Sequence, residues 1–102
     1  MIFRISTGRA GSAEDADRYA TFLDTTVLPE LRALPGHRGA CLLRRELDLL
    51  IVTRWESLDA IRAFAGEDIE RAVFEPEAQR LLPSRDEQVK LYELVLSRSH
   101  PQ

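Results

Sequence analysis

The chain has 102 residues, 44% of them hydrophobic and 30% charged, a length and balance that suit one globular domain and exclude coiled coil, collagen and disorder. Its formal net charge of −3, with arginines interleaved among acids, gives no long-range attraction to phosphate and speaks against a nucleic-acid partner. No apolar run approaches the ~20 residues that cross a bilayer, and one cysteine with two histidines allows neither an internal disulfide nor a zinc-type cluster within one chain.

Ile2–Arg9 has the β-branched and aromatic character of a strand and is closed by Gly8 and Gly11. It lacks the layout of a secretory signal, so a cytoplasmic location is expected. Ser12, followed three residues later by Asp15, predicts a helix N-terminus, with Glu14 and Asp15 at the favourable end of the dipole. Tyr19, Phe22, Leu23, Val27, Leu31 and Leu34 recur at helical spacing up to the Pro35-Gly36 stop. Pro29 should kink this helix or divide it. His37–Arg45 and residues 49–56 read as an antiparallel hairpin turning around Glu46 and Asp48. Ser57 caps a second helix whose Leu58, Ile61, Phe64 and Ala65 share a face, ended by Gly66. Residues 68–82 read as a further helical stretch in which Pro76 suits a first turn. Residues 89–96 are the last strand. Residues 1–97 thus form one domain, and 98–102 a polar, flexible tail.

The predicted fold is α+β, ferredoxin-like, of β-α-β-β-α-β order with a four-stranded antiparallel sheet. An antiparallel sheet with one wet face should alternate, yet Leu49, Leu50, Ile51 and Val52 are continuously apolar and Leu94, Val95 and Leu96 repeat this. Helices cover one face in this topology. A second copy of the sheet is the natural cover for the other, which predicts a homodimer.

Four segments carry a family resemblance: Pro35-Gly36-His37-Arg38-Gly39-Ala40, Val52-Thr53-Arg54-Trp55-Glu56-Ser57-Leu58-Asp59-Ala60-Ile61, Phe64-Ala65-Gly66-Glu67-Asp68 and Val89-Lys90-Leu91-Tyr92-Glu93. In this order the chain resembles the antibiotic biosynthesis monooxygenase family along nearly its whole length. The resemblance implies a dimeric α/β barrel of two facing four-stranded sheets. It implies oxidation of an aromatic or polyketide-like small molecule by dioxygen with no cofactor and no metal, the substrate lying between sheet and helices. Haem-degrading relatives carry a histidine on the helical region and an asparagine on the first strand; residues 59–82 hold no histidine and Ile2–Arg9 no asparagine. Many relatives place a histidine immediately before the tyrosine that matches Tyr92, where this chain has Leu91. That departure favours the alternative of a non-catalytic, dimeric small-molecule binding or stabilising module. An RNA-binding domain of the same strand order would need exposed aromatics on its central strands, and residues 49–53 are mostly aliphatic.

For chemistry the candidates are Trp55, Tyr92, Arg54 and His37. The Trp55 indole N–H and the Tyr92 hydroxyl can each orient a substrate oxygen, although both rings also suit core or interface. His37 has the side chain best fitted to general-base work near neutrality, and a strand start after Pro35-Gly36 equally suits an exposed loop histidine. Arg54 and Arg44, with Arg38 of the same parity as Arg44, can hold an acidic or phenolate substrate or pair with surface acids. Tyr19, Phe22, Phe64 and Phe74 are core residues on their helices and would line a cavity there together with Arg44. Cys41 reads as a small buried hydrophobe.

Overall fold

The computed structural model describes residues 1–100. Strand β1 (Ile2–Arg9) leads into α1 (Ala13–Phe22), a π-helical turn (Leu23–Val27) and α2 (Leu28–Arg32). The hairpin β2 (His37–Arg45) and β3 (Asp48–Trp55) follows, then α3 (Leu58–Ala65), α4 (Pro76–Leu81), β4 (Ser84–Arg85) and β5 (Lys90–Glu93). The antiparallel sheet runs β2-β3-β1, with β4 and β5 both on the free side of β1. No helix among the described residues is long and apolar enough to cross a membrane.

Local chemistry sets these boundaries. Ser12 Oγ accepts the Asp15 N–H at 3.0 Å and Ser57 Oγ accepts the Ala60 N–H at 3.1 Å, so both predicted caps form. Pro29 acts one turn earlier than its own position: it offers no N–H and crowds the carbonyl of Thr25, and the chain passes that point as the π-turn before resuming as α2. At Gly36, with φ of +84°, a Cβ would lie 2.5 Å from Ala60 Cβ. That contact lets the turn after α2 touch the start of α3, and only glycine fits it.

The chain departs from the expected pattern in two places, both through pairing between distant residues. Residues 68–75 are not helical, because this segment pairs with the chain around residue 88: Arg71 and Gln88 form a bridge, Ala72 N–H donates to Glu87 O at 2.8 Å, and Val89 N–H donates to Glu70 O at 2.7 Å. The last strand is shortened to β5 and a two-residue strand, β4, is added before it, so the sheet has five strands rather than four, β4 meeting Gly8 and Arg9 and β5 meeting Ile2 to Ile5. Leu94, Val95 and Leu96 fall outside any strand because β1 runs out: Leu94 N–H to Met1 O, at 3.0 Å, is the last rung. The expected tail, 98–102, lies in part (101 and 102) outside the described residues.

Register sorts every strand residue onto a face. Ile2, Arg4, Ser6 and Gly8 oppose Trp55, Thr53, Ile51 and Leu49, and these look toward the helices, where Tyr19, Leu23, Val27, Leu31, Ile61 and Leu81 complete the core. Phe3, Ile5, Cys41, Leu43, Leu50, Val52, Arg54 and Tyr92 occupy the opposite face, which no helix covers. Cys41 is therefore exposed rather than buried.

Candidate functional site

A chamber lies between the sheet and the helices. Arg4, Ser6, Ile51 and Thr53 form its floor, Tyr19 of α1 and Leu23, Val27 and Leu31 one wall, and Phe64 of α3 with Val73, Phe74 and Glu75 the other. The void left inside measures about 30 Å³, room for one or two waters. Beyond Val73 and Phe74 opens a groove of about 1000 Å³, bordered by Asp68, Arg71, Arg85, Asp86 and Glu87. Val73 and Phe74 border both spaces and so separate them.

Arg4 is the cation of this chamber. It is only 3% exposed, its Nη2 donates to Arg71 O at 2.6 Å, and its guanidinium lies 5.5 Å from the Phe64 ring centroid. Its Nε is buried without a partner, and no carboxylate pairs with it among the described residues. Burial pulls the group down to about 10, which leaves it charged at neutral pH. Tyr19 faces the same space with its phenol pushed above the ordinary range, first by burial and then by the charge of Glu75. It stays a protonated hydrogen-bond donor.

Trp55 is fully buried beside this chamber. Its indole stacks on Phe64 at 5.3 Å and meets His37 edge-on at 5.0 Å. The indole N–H donates to Thr53 Oγ1 at 2.9 Å, and that hydroxyl donates to Arg4 O at 3.3 Å. The Trp55 donor is thus satisfied within the sheet, and the indole touches the chamber through Thr53, which it hydrogen-bonds, and Phe64, on which it stacks.

The remaining expected residues are dispersed. Arg54 and Tyr92 both oppose Phe3, so they stand in one row on the uncovered face, separated from Trp55 by the sheet itself. The Arg54 guanidinium crosses Gly39, where φ is +139° and a Cβ would collide with it. Arg44 is tied to Asp17 Oδ1 and to Glu46 O, each at 2.7 Å, and braces α1 against β2. Phe22 packs on the core outside the chamber lining. Arg38 pairs with Glu56 at 2.7 Å. Of the five expected substrate-binding residues, the structure gathers Tyr19, Phe64 and Phe74 around the chamber. Arg4, Thr53 and Glu75 are the chamber residues that the sequence did not single out; no local signal marks Arg4, since both parities of Ile2–Arg9 mix apolar and polar residues.

His37 borders a shallow pocket at the β2 edge with Leu28, Arg32 and Arg38. Its Nε2 is buried and unpartnered, and its pKa is lowered from 6.5 by burial first and by the Arg54 charge second. The folded state therefore holds the His37 proton less tightly than the unfolded chain does. The associated stability is fully present above the unfolded value of 6.5 and is lost as pH falls from there through the lowered folded value. His37→Phe keeps a ring against Trp55 and removes the titration, so between pH 7.5 and 5 its Tm should fall less than that of the wild type. Thermal denaturation across that range checks this, and parallel Tm curves would contradict it.

No protein-family model and no curated protein sequence matches the chain. Solved structures do. A candidate antibiotic biosynthesis monooxygenase from Deinococcus radiodurans aligns over 100% of both chains with a TM-score of 0.67 and 18% identity. The haem degrader MhuD of Mycobacterium tuberculosis aligns over 97% of this chain and 100% of its own with a TM-score of 0.67 and 18% identity. SnoaB of Streptomyces nogalater, a cofactor-independent oxygenase, aligns over 94% of each chain with a TM-score of 0.61 and 19% identity. The chain has the fold of the antibiotic biosynthesis monooxygenases.

Proposed function

We propose that this protein is a cofactor-independent monooxygenase that works as a homodimer and oxidises an aromatic, polyketide-like small molecule with dioxygen. The observation that carries the reading is the chamber between sheet and helices, ringed by Tyr19, Phe64 and Phe74, in a fold shared with oxygenases. Dioxygen reacts slowly with closed-shell neutral molecules, so such an enzyme must hold its substrate as an anion in a place water does not reach. Anthrone oxidation illustrates the balance: the carbanion formed by proton loss takes up dioxygen, one oxygen atom becomes the new carbonyl, and the other leaves as water. The Tyr19 hydroxyl is available to orient a substrate oxygen. His37, its pKa lowered and its Nε2 buried without a partner, lines a separate pocket at the β2 edge and would accept a substrate proton only once that nitrogen is uncovered.

Haem fits these residues poorly. The chamber lining contains no histidine, cysteine or methionine, and its one tyrosine has a phenol that burial keeps protonated, whereas the usual axial ligands are imidazole, thiolate, thioether or phenolate.

Oxygen uptake tests the proposal. With anthrones and phenols that carry an open para position as substrates and no added cofactor, the purified protein should consume dioxygen and release the quinone in equal amounts. The small size of the closed chamber favours a second reading, a non-catalytic binding module. Ligand binding without oxygen uptake from any of these compounds would establish that second reading instead.

A further inference from the structure

We infer that Arg4 anchors the anionic group of a carboxylate- or phenolate-bearing aromatic ligand, which reaches it from the groove by displacing the Val73–Phe74 wall. This rests on the proposed use of the chamber and adds to it the charge of the ligand and the route it takes.

Arg4 is the wrong residue for a core. Burying a guanidinium without a carboxylate is strongly unfavourable, and a methionine would pack there at no such cost. The structure offsets the cost only in part, through one bond to Arg71 O and the face of Phe64. The Nε–H remains buried without an acceptor, on a side chain that lines the void. A buried donor left in this way is destabilising, the more so when the group is charged. An anionic oxygen in the chamber would accept from Nε and supply the missing counter-charge.

The void as it stands cannot take a ring. At about 30 Å³ it is far below the roughly 150 Å³ that accommodates benzene in an apolar cavity. Val73 and Phe74 line both it and the much larger groove. These two lie in the irregular stretch between α3 and α4, after the rungs that tie residues 70–72 to 87–89 and before Pro76. Val73 is 40% exposed. Upstream, Gly66 turns at a φ of +86° with nothing within 4 Å of the space its side chain would occupy. Swinging the Phe74 ring outward joins the two spaces, with Arg4 at the closed end and the mixed charges of Arg71, Arg85 and Asp86 at the open one.

The test uses 2-naphthoate and its neutral isostere 2-naphthamide, titrated anaerobically into the full chain and followed by calorimetry and by the fluorescence of Trp55, which stacks on the ring that Arg4 faces. The wild type should bind the naphthoate at least tenfold more tightly than the amide. Arg4→Met should reduce that ratio to about one, and Phe74→Ala should keep the ratio while raising the association rate of both probes. Because Arg4→Met frees Arg71 O and could impair folding, Arg4→Lys serves beside it: it keeps the charge and should keep most of the preference. Equal binding of the two probes by the wild type, no binding of either, or a preference that survives in a folded Arg4→Met would overturn the inference. Naphthoate preference without oxygen uptake from any substrate would remove the oxygenase reading and leave the anion site standing. Uptake with neutral and anionic substrates alike would do the reverse.

Discussion

Replacing Trp55 by alanine should lower the unfolding free energy by about 3–5 kcal/mol, the usual cost of deleting a fully buried large aromatic side chain. The indole has 0% exposure and belongs to three arrangements at once. It stacks on Phe64, meets His37 edge-on and donates to Thr53 Oγ1. Aromatic pairs of this kind add about 0.5–1.5 kcal/mol beyond the area they bury. A domain of this size has about 5–15 kcal/mol in all, so Trp55→Ala removes a large share of it and should lower the Tm by well over 10 °C. Trp55→Phe keeps the stack and leaves one hydrogen bond unmade, at about 1 kcal/mol. Urea unfolding followed by far-UV circular dichroism measures both, since the variants lack the only tryptophan. A loss under 1 kcal/mol for Trp55→Ala would show that the ring does not belong to the core and would return it to the list of substrate contacts.

The order of elements could be read from local signals because each is local in origin: Ser12 and Ser57 accept a bond from their own first turn, Gly36 and Gly66 make a turn, and the apolar spacing of α1 needs no partner to be recognised. The segment from 66 to 75 could not, since Glu70 and Ala72 in its middle bond to Val89 and Glu87, and a charged, proline-limited stretch looks helical until that pairing is known.

Site residues divide in a different way. That Arg54 and Trp55 cannot share a cavity follows from their being neighbours on one strand, whose successive side chains alternate between faces. The sequence therefore already limited any site to one of them. Tyr92 needed the register, because only the pairing of Phe3 with both Arg54 and Tyr92 puts the three in one row. Arg4 was the least legible of all. In Ile2–Arg9 both parities mix apolar and polar residues, so the strand does not announce that its arginine faces inward, and the missing counter-charge is a property of the surrounding side chains.

Wild-type protein should sediment and scatter light as a dimer at micromolar concentration, and the double variant Leu43→Glu/Leu50→Glu as a monomer. The two leucines face each other across β2 and β3 on the uncovered face and are 50% and 40% exposed in the single chain. Around them the same face carries Phe3, Ile5, Cys41 and Val52, with Tyr92 52% exposed. Beyond β5, Val95 and Leu96 are 87% and 83% exposed. Soluble monomers rarely leave so continuous an apolar surface in water, and burying it at roughly 25 cal/mol per Å² is a strong reason for association. A second copy of the same face is a self-complementary partner related by a two-fold axis. Glutamates at Leu43 and Leu50 would bring four carboxylates together where water is excluded, each costing several kcal/mol without a counter-charge. Dimer affinity should therefore drop by about 10³-fold or more. Because neither leucine is in the buried core of the single chain, far-UV circular dichroism of the variant should match that of the wild type. A wild-type protein that scatters as a monomer, or a double variant that remains a dimer, would show that the uncovered face is not the interface.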